Sequence, residues 1–263
     1  MLESKKISRD LDLIKFKSPV IHNITNYVVA NFTANALLAI GASPIMSHAE
    51  EEMRDIVTLS EALVLNIGTL DAGLVGSMLS AQTHAKSKNI PIILDPVGAA
   101  ASNFRVRTTH TLLKKGVSVI KGNASEIMAI ADQNTKSKGI DSKHNSVLGL
   151  QAAKQISKAY KCIVIISGDE DYVVKENKHL KLKNGHTIMQ RVTGMGCTCT
   201  AILGAFLAIN QNFFIASAHA MSVVALAGEQ AAKVATSPGK FIHRFLDQLY
   251  LIDSKVISGL KYE

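Results

Sequence analysis

The sequence predicts an α/β fold built as a three-layer α/β/α sandwich with a mostly parallel central sheet. Two observations support this prediction. Short runs of β-branched residues alternate several times with helix-like segments, which is typical of a parallel sheet with helices on its faces. In addition, 47% of the 263 residues are apolar, which is enough for a full hydrophobic core. Because no linker or repeat interrupts the pattern, we expect a single domain over residues 1–263.

The elements of the predicted sheet follow one another along the first two thirds of the chain. Each strand is a short apolar run, as expected for strands buried on both faces, and the helices end near turn-forming residues. The predicted strands cover residues 20–24, 62–67, 90–94, 117–120 and 162–166. The predicted helices between them cover residues 27–40, 71–88 and 103–115.

The remaining third of the chain has a different pattern. Residues 171–185 alternate apolar and charged side chains, which predicts an antiparallel edge of the sheet, and Asn184-Gly185 predicts its hairpin turn. Beyond Cys197 the pattern is helical almost to the end, and Ser237-Pro-Gly239 separates the last helix.

Charge and composition exclude several classes of protein. The formal net charge is +8, but the lysines are scattered, aromatic residues make up 5% and tryptophan is absent, so we expect no nucleic-acid partner. Polar residues 210–212 interrupt the apolar segment 198–227, which predicts core helices and not a membrane span. The charged first twenty residues lack a secretory pattern, and three cysteines are too few for a disulfide framework, so we expect a cytoplasmic protein.

The turn at residues 191–197 is the strongest sequence signal for a functional site. Gly194 and Gly196 precede a long run of small apolar residues, so the turn would lead directly into a helix N-terminus. The unpaired N–H groups and the dipole of that first turn attract anions, and glycine lets a phosphate approach the backbone. The alternative is an ordinary glycine turn in which Cys197 is a small core residue.

Polar residues also follow the predicted strands, at the edge where ligands bind in open parallel sheets. These residues are His22, Asn23, Asn26, Asn66, Thr69, Asp95, Lys121, Asn123, Glu126 and Ser167. Taken singly, Asp95 could form a turn, and Asn123 with Glu126 has the spacing of a helix N-cap whose N3 carboxylate reaches back. Taken together, two carboxylates, a lysine, a hydroxyl and an anion-binding turn suit nucleotide phosphates, magnesium and an acceptor hydroxyl.

Several motifs, in order along the chain, resemble those of the hydroxyethylthiazole kinases from about residue 19 to the last helix. They are His22-Asn-Ile-Thr-Asn26, Asn31-Phe-Thr-Ala-Asn35, Gly41-Ala-Ser-Pro44, Asp95-Pro-Val-Gly98, Gly122-Asn123 with Glu126, and Val192-Thr193-Gly194 with Gly196-Cys197. The resemblance implies a ribokinase-like fold and the ATP- and magnesium-dependent phosphorylation of 4-methyl-5-(2-hydroxyethyl)thiazole on its primary alcohol, in thiamine salvage. It also implies a homotrimer whose active sites lie between subunits.

The resemblance also assigns site residues position by position. It implies thiazole binding by Asn26, Met46 and Gly194, ATP binding by Lys121, Asn123, Ser167 and Gly196, and magnesium binding by Asp95 and Glu126. Cys197 takes the position of the aspartate that acts as base in the wider superfamily, so it is the candidate catalytic base. A helix N-terminus can lower the pKa of a thiol, although a neighbouring triphosphate opposes this.

Two departures from the family pattern affect the expected site, and two alternative functions remain open. Lys121 stands where arginine is common, and Met195 stands where a small residue is usual. A related enzyme could phosphorylate another small alcohol such as hydroxymethylpyrimidine, but those relatives carry aspartate at the position of Cys197. The second alternative is a catalytically inert nucleotide-binding sensor, which would have no need for the pair Asp95 and Glu126.

Overall fold

The computed structural model describes residues 2–131 and 142–263, and a single sheet runs through it. The strands are β1 (Val20–Ile24), β2 (Ser43–Met46), β3 (Ala62–Asn66), β4 (Ile92–Asp95), β5 (Val119–Asn123), β6 (Ile163–Ser167), β7 (Asp171–Lys175) and β8 (Lys178–Leu182). Their order across the sheet is β2-β1-β3-β4-β5-β6-β7-β8. The first six strands in this order are parallel, and β7 and β8 continue the sheet in antiparallel pairing.

Helices pack on both faces of this sheet. They are α1 (Ser4–Lys17), α2 (Ala30–Ala39), α3 (Met53–Leu59), α4 (Ala72–Lys88), α5 (Asn103–Lys115), α6 (Ala124–Ala131), α7 (Ser142–Tyr160), α8 (Met195–Ile209), α9 (Phe213–Val234), α10 (Pro238–Leu251) and α11 (Ser254–Ile257). One core cluster joins the sheet to α1, α2 and α8 to α11, and the other joins it to α3 to α7. Within the described ranges, no helix combines the length and the apolarity that crossing a membrane requires.

The strands bury both of their faces, which explains why they read as continuous apolar runs. In β3, Val64 belongs to one core cluster, whereas Leu63 and Leu65 belong to the other. All three side chains are at most 2% exposed. Because successive side chains of a strand point to opposite faces, this run supplies both cores at once. The predicted three-layer sandwich with a mostly parallel sheet is therefore confirmed.

Helix α8 lies against the middle of the sheet, and its close approach depends on Gly204. A Cβ atom at this position would lie 2.9 Å from Cγ2 of Ile21 in β1 and 3.1 Å from Cγ2 of Val64 in β3. Both distances are shorter than an ordinary van der Waals contact between carbon atoms. The small residues that follow the glycine turn therefore bring the start of α8 to the carboxyl ends of the central strands.

Several elements were not predicted from the sequence, among them β2, α1, α3 and α7. The edge strand β2 is short and contains Pro44, which has no N–H group for a ladder. Helix α1 carries Asp10 on its buried face, where Oδ2 accepts a hydrogen bond from Nδ2 of Asn210 at 2.7 Å and lies 2.7 Å from Nδ1 of His219. A buried acidic residue interrupts the apolar pattern of this helix.

The predicted hairpin turn at Asn184-Gly185 is wrong. The chain reverses instead between β7 and β8, at residues 176–177, where Glu176 adopts a left-handed conformation with φ of 52°. Asn184 has a different role, because its Nδ2 donates to the Glu229 carboxylate at 3.0 Å and its Oδ1 accepts from the backbone N–H of Lys261 at 2.6 Å. These bonds anchor the segment after β8 to α9 and to the C-terminal residues.

Candidate active site

The turn before α8 forms the anion-attracting helix N-terminus that the sequence predicts. Gly194 precedes the helix with φ of 86°, a left-handed conformation that favours glycine. The first helical bond runs from the N–H of Thr198 to the carbonyl of Gly194 at 2.8 Å, and Gly194, as the N-cap residue, has no side chain that could cap the helix. The N–H groups of residues 195–197 precede this bond, so they and the helix dipole can stabilise a negative charge.

Lys121 brings a positive charge to the same place. It lies on β5, is 2% exposed, and its Nζ donates to the carbonyl oxygen of Gly196 at 3.2 Å. Burial acts to lower the pKa of Lys121, but the neighbouring Cys199 and Asp95 groups raise it by more, so its pKa lies above the ordinary value. An ammonium group next to a positive helix end forms a strong attraction for phosphate.

A cavity of about 500 Å³ opens beside this turn. Its polar lining includes all four residues that the resemblance assigns to ATP, together with Gly194, and these are Lys121, Asn123, Ser167, Gly194 and Gly196. Its apolar lining includes Val192, Met221 and Val224. Phosphate-binding groups next to apolar side chains match the two chemical halves of a nucleotide.

A chain of hydrogen bonds connects the ends of three neighbouring strands with α8. Nδ2 of Asn26 donates to Oδ1 of Asn66 at 2.8 Å, and Nδ2 of Asn66 donates to Oδ2 of Asp95 at 2.9 Å. The same carboxylate oxygen accepts from the hydroxyl of Thr200 at 2.8 Å. This hydroxyl also lies 3.1 Å from the carbonyl oxygen of Gly196. The connection places the predicted thiazole residue Asn26 and the predicted metal residue Asp95 in one buried group.

The two predicted metal carboxylates are held in place by backbone groups and by the residues just named. In Glu126, Oε1 accepts from the N–H of Gly98 and Oε2 from the N–H of Asn123, both at 2.8 Å. Oδ1 of Asn123 accepts in return from the N–H of Glu126 at 2.9 Å, so the alternative interpretation of this pair as a helix cap is confirmed. The cap itself fixes the Glu126 carboxylate at the sheet edge, which is compatible with a role in binding.

Electrostatics indicate that a cation suits this pair of carboxylates. Burial raises the pKa of Asp95 to about 6, the charge of Lys121 lowers it, and the charge of Glu126 raises it further. Among the residues that the structure describes, no three histidine, cysteine or acidic side chains converge on one point. Mg²⁺ commonly uses one or two carboxylates and completes its shell with water and phosphate oxygens, so these residues fit a magnesium ion that arrives with ATP.

Cys197 lies close to Asn26, but its electrostatic environment differs from the one expected at a helix N-terminus. Its Sγ accepts from Nδ2 of Asn26 at 3.5 Å. Burial and then the charge of Asp95 raise the pKa of Cys197 to about 11, although hydrogen bonds from Asn66 and Asn26 and the charge of Lys121 act in the other direction. The thiol is therefore protonated near neutral pH, whereas the sequence allowed for a lowered pKa.

The remaining predicted residues, Met46, Ser167 and Gly194, lie at the ends of two strands and in the glycine turn. Met46 ends the edge strand β2 and pairs with Asn23 of β1, the strand that precedes Asn26. Ser167 ends β6, and its hydroxyl lies 3.5 Å from the carbonyl oxygen of Gly122. Gly194 packs against Val29, because a Cβ atom at residue 194 would lie 2.4 Å from its Cγ1.

The sequence did not predict three residues that lie in or next to the site, namely Thr200, Arg105 and Asp171. Thr200 stands one helical turn after Gly196, a spacing that could have suggested it. Arg105 carries no sequence signal, yet its guanidinium donates to the carbonyl oxygens of Ile67, Val97 and Gly68. Asp171 lines the cavity, and burial raises its pKa to about 6. The sequence placed it only at the start of an edge strand.

Comparison with known proteins identifies the family. The profile of the hydroxyethylthiazole kinase family matches residues 11–255. Hydroxyethylthiazole kinase from Syntrophus aciditrophicus (strain SB) is 47% identical over 93% of this chain and 92% of its own length. Hydroxyethylthiazole kinase from Leptospira biflexa serovar Patoc is 45% identical over 96% of this chain and 95% of its own.

Solved structures agree with these sequence relatives. The hydroxyethylthiazole kinase protein from Pyrococcus horikoshii OT3 matches with a TM-score of 0.91 and 38% identity, covering 98% of each chain. The pyridoxal kinase from Staphylococcus aureus in complex with ADP matches with a TM-score of 0.62 and 15% identity over 80% of this chain and 87% of its own, which shows the shared ribokinase-like fold. Because the sequence identity extends over nearly the whole chain and the architecture is shared, this chain belongs to the hydroxyethylthiazole kinase family.

Proposed function

We propose that this protein transfers the terminal phosphoryl group of ATP to the primary alcohol of hydroxyethylthiazole, in keeping with its membership of the hydroxyethylthiazole kinase family. The observation that carries the proposal is the convergence of Lys121, Asp95 and Asn26 at the N-terminus of α8. A positive site for phosphate, a carboxylate for a cation and a polar contact for an acceptor are the parts that phosphoryl transfer requires. Following the family, the reaction serves thiamine salvage.

ATP binds in the cavity beside the glycine turn. Lys121, Asn123, Ser167 and Gly196 face its phosphates and sugar, while the apolar lining from α9 contacts the base. Asp95 and Glu126 would hold Mg²⁺, and the ion would neutralise phosphate charge there. The protein's own part is to hold the phosphates at the helix N-terminus and to exclude water from the buried group around Asp95.

The acceptor binds on the other side of the turn, near Asn26, Met46 and Gly194. Cys197 contacts its hydroxyl as a neutral thiol, because a group with a pKa of about 11 carries its proton near neutral pH. This role is sufficient, since the nucleophile needs little activation in a loose phosphoryl-transfer transition state, and the hydroxyl proton passes to an oxygen of the transferred phosphoryl group as the O–P bond forms and ADP leaves. Positioning of the hydroxyl in line with the phosphate then provides most of the rate enhancement.

The family resemblance implies a homotrimer with active sites between subunits, and exposed apolar side chains support a contact between subunits. Leu38, Val234, Tyr250 and Leu251 are each at least 59% exposed and line one groove between α2 and α10. Apolar patches of this kind commonly mark contacts between subunits. We keep a single domain over residues 1–263 and a location in the cytoplasm as predictions from the sequence.

The experiment that tests the function is a set of parallel phosphorylation reactions with the purified protein. Hydroxyethylthiazole and hydroxymethylpyrimidine are each incubated with ATP, with and without MgCl₂, and the products are identified by mass spectrometry. We expect a thiazole phosphate that forms only when the metal is present. Phosphorylation of the pyrimidine alone would assign a neighbouring kinase activity, and ATP binding without any product would identify an inert nucleotide-binding protein.

A further inference from the structure

Asn66 occupies the centre of the buried polar group. Its position in the sequence places it at the ligand-binding edge of the sheet, but neither the sequence nor the family resemblance assigns it a specific role. It ends β3 and is 1% exposed. Its Oδ1 accepts from Nδ2 of Asn26 at 2.8 Å and from the N–H of Gly68 at 2.9 Å, and its Nδ2 donates to Oδ2 of Asp95 at 2.9 Å. The amide thus connects the proposed acceptor side of the site with the proposed metal side.

The partners of Asn66 fix the orientation of its amide. An ionised carboxylate only accepts hydrogen bonds, so the NH₂ group of Asn66 must face Asp95 and its oxygen must face the two N–H donors. The reversed amide would place oxygen against carboxylate and two donors against an NH₂ group, leaving buried polar atoms unpaired. One orientation is therefore strongly preferred.

This orientation determines in turn which atom Asn26 presents to a ligand. One N–H of Asn26 is bound to Oδ1 of Asn66 and the other lies against Sγ of Cys197 at 3.5 Å. With both hydrogens engaged, Oδ1 is the polar atom of this side chain that remains for a ligand. The backbone at Gly68 holds Asn26 closely from behind, because a Cβ atom there would lie 2.7 Å from Nδ2. An acceptor that donates a hydrogen bond, such as an alcohol, fits this carbonyl oxygen.

We propose that Asn66 is a positioning residue that turns the carbonyl oxygen of Asn26 toward the acceptor hydroxyl and aligns Asp95 at the same time. The proposal rests on the proposed function, because it takes Asn26 as the acceptor contact. The proposal gives a role in the reaction to a residue that touches neither substrate. It also gives a physical reason why the site selects an alcohol. The recognition and the reactivity of the acceptor then depend on one buried amide.

The test uses two thiazoles as probes, namely hydroxyethylthiazole and 4-methyl-5-ethylthiazole, which lacks the hydroxyl. Their dissociation constants are measured by calorimetry without nucleotide, and kcat is measured with ATP and MgCl₂. In the unaltered protein we expect the alcohol to bind about tenfold more tightly than the ethyl compound, the equivalent of one hydrogen bond. Equal binding of the two compounds would overturn the proposal.

Two substitutions at residue 66 separate the bond between its Oδ1 and Asn26 from the bond between its Nδ2 and Asp95. Asn66→Ala removes both, so we expect the tenfold preference to fall below about threefold and kcat to fall by a factor on the order of ten or more. Asn66→Asp keeps an acceptor for Asn26 but replaces the donor to Asp95 by a second carboxylate, so it should keep the preference and lower kcat. Because Asn66→Asp preserves the side-chain volume, it decides the question if Asn66→Ala does not fold.

Gln82→Ala is the matched control. Gln82 is a fully buried amide whose Nε2 donates to the carbonyl oxygens of Leu112 and Gly116, both at 2.9 Å, between α4 and the end of α5. Its loss should reduce stability without changing the preference or kcat. An unchanged preference in Asn66→Ala, or an unchanged kcat in Asn66→Asp, would overturn the role of Asn66 alone. Absence of thiazole turnover by the unaltered protein would overturn the proposed function together with this role.

Discussion

Gly194 is the residue at which the backbone constrains function most tightly. It has φ of 86°, and a Cβ atom there would lie 2.4 Å from Cγ1 of Val29. Gly194→Val therefore has to displace both the turn and the wall that Val29 forms. We predict that kcat/KM of this variant falls by a factor on the order of 10² or more, because small displacements of reacting groups have effects of this size. Steady-state kinetics measure this directly.

Gly239→Ala provides the control for the glycine substitution. Gly239 lies near the start of α10, and a Cβ atom at this position would meet no heavy atom within 4 Å. This variant should retain the activity of the unaltered protein. A Gly194→Val protein of normal activity would contradict the assignment of the turn to phosphate and acceptor binding.

Cys197 gives a second prediction at the residue scale. Because its pKa of about 11 keeps the thiol protonated, Cys197→Ser should retain measurable turnover, with kcat lowered by about tenfold through altered positioning. If the thiolate were the required base, kcat/KM of the unaltered protein would rise about tenfold for each pH unit between 7 and 9. We expect no such rise in a pH profile.

Cys199→Ala serves as the comparison for this variant. In the unaltered protein, Sγ of Cys199 lies 3.3 Å from Sδ of Met221, and burial raises the pKa of this thiol to about 12. It should leave the pH profile unchanged. An inactive Cys197→Ser protein that still binds ATP would show that the thiol is essential.

Asp171 makes stability depend on pH. Burial raises the pKa of its carboxyl to about 6 in the folded protein, whereas the unfolded value is about 4. Between these values the folded state keeps a proton that the unfolded state has released, so stability falls as the pH rises from 4 to 6 and stays lower above 6. We predict that Asp171→Asn is more stable at pH 7.5 by on the order of 2 kcal/mol.

Urea unfolding at two pH values tests this prediction. The gain in the free energy of unfolding from Asp171→Asn should be about half as large at pH 5 as at pH 7.5. At pH 5 the carboxyl of Asp171 is still mostly protonated in the folded protein, so less of the destabilising charge is present. The amide can still accept the hydrogen bond that Gly168 donates to Oδ1 of Asp171 at 3.0 Å. A variant that is less stable at pH 7.5 would contradict the account of a partly buried carboxylate whose desolvation destabilises the fold.

At the scale of single elements, the packing of α8 on the sheet determines where the glycine turn lies. Gly204→Ala introduces a methyl group 2.9 Å from Ile21 and 3.1 Å from Val64, so α8 has to move away from the sheet. We predict a loss of about 1 to 3 kcal/mol in the free energy of unfolding, the usual range for overpacking. Urea unfolding checks this value, and an unchanged stability would show that the close approach of α8 is not a constraint.

The sequence predicts the central strands better than the edges of the sheet, for a physical reason. Strands such as β3 and β6 are buried on both faces, so their apolar runs are unambiguous. The edge strand β2 is partly exposed along its length and contains Pro44, so its pattern is weak. The predicted hairpin at Asn184-Gly185 was wrong because tertiary bonds to Glu229 and Lys261 determine the role of Asn184. Such long-range partners are invisible in a local pattern.

At the scale of the whole molecule, the parallel sheet explains why a site could be predicted at all. The carboxyl ends of β3, β4 and β5 bring Asn66, Asp95 and Asn123 to one edge, as the strand order requires. The hydrogen bonds among these residues could not be predicted, because they depend on the register of neighbouring strands and on α8. Asn66 and Thr200 therefore gain their importance only in the folded molecule.

The most direct measurement of the central claim is a competition between two acceptors in one reaction. The purified protein is given equal concentrations of hydroxyethylthiazole and hydroxymethylpyrimidine with ATP and MgCl₂, and both phosphorylated products are quantified at early times. The ratio of the products equals the ratio of the two kcat/KM values. We predict that thiazole phosphate exceeds pyrimidine phosphate by at least about tenfold, which corresponds to one well-placed contact. A product mixture dominated by pyrimidine phosphate, or the absence of both products, would contradict this account.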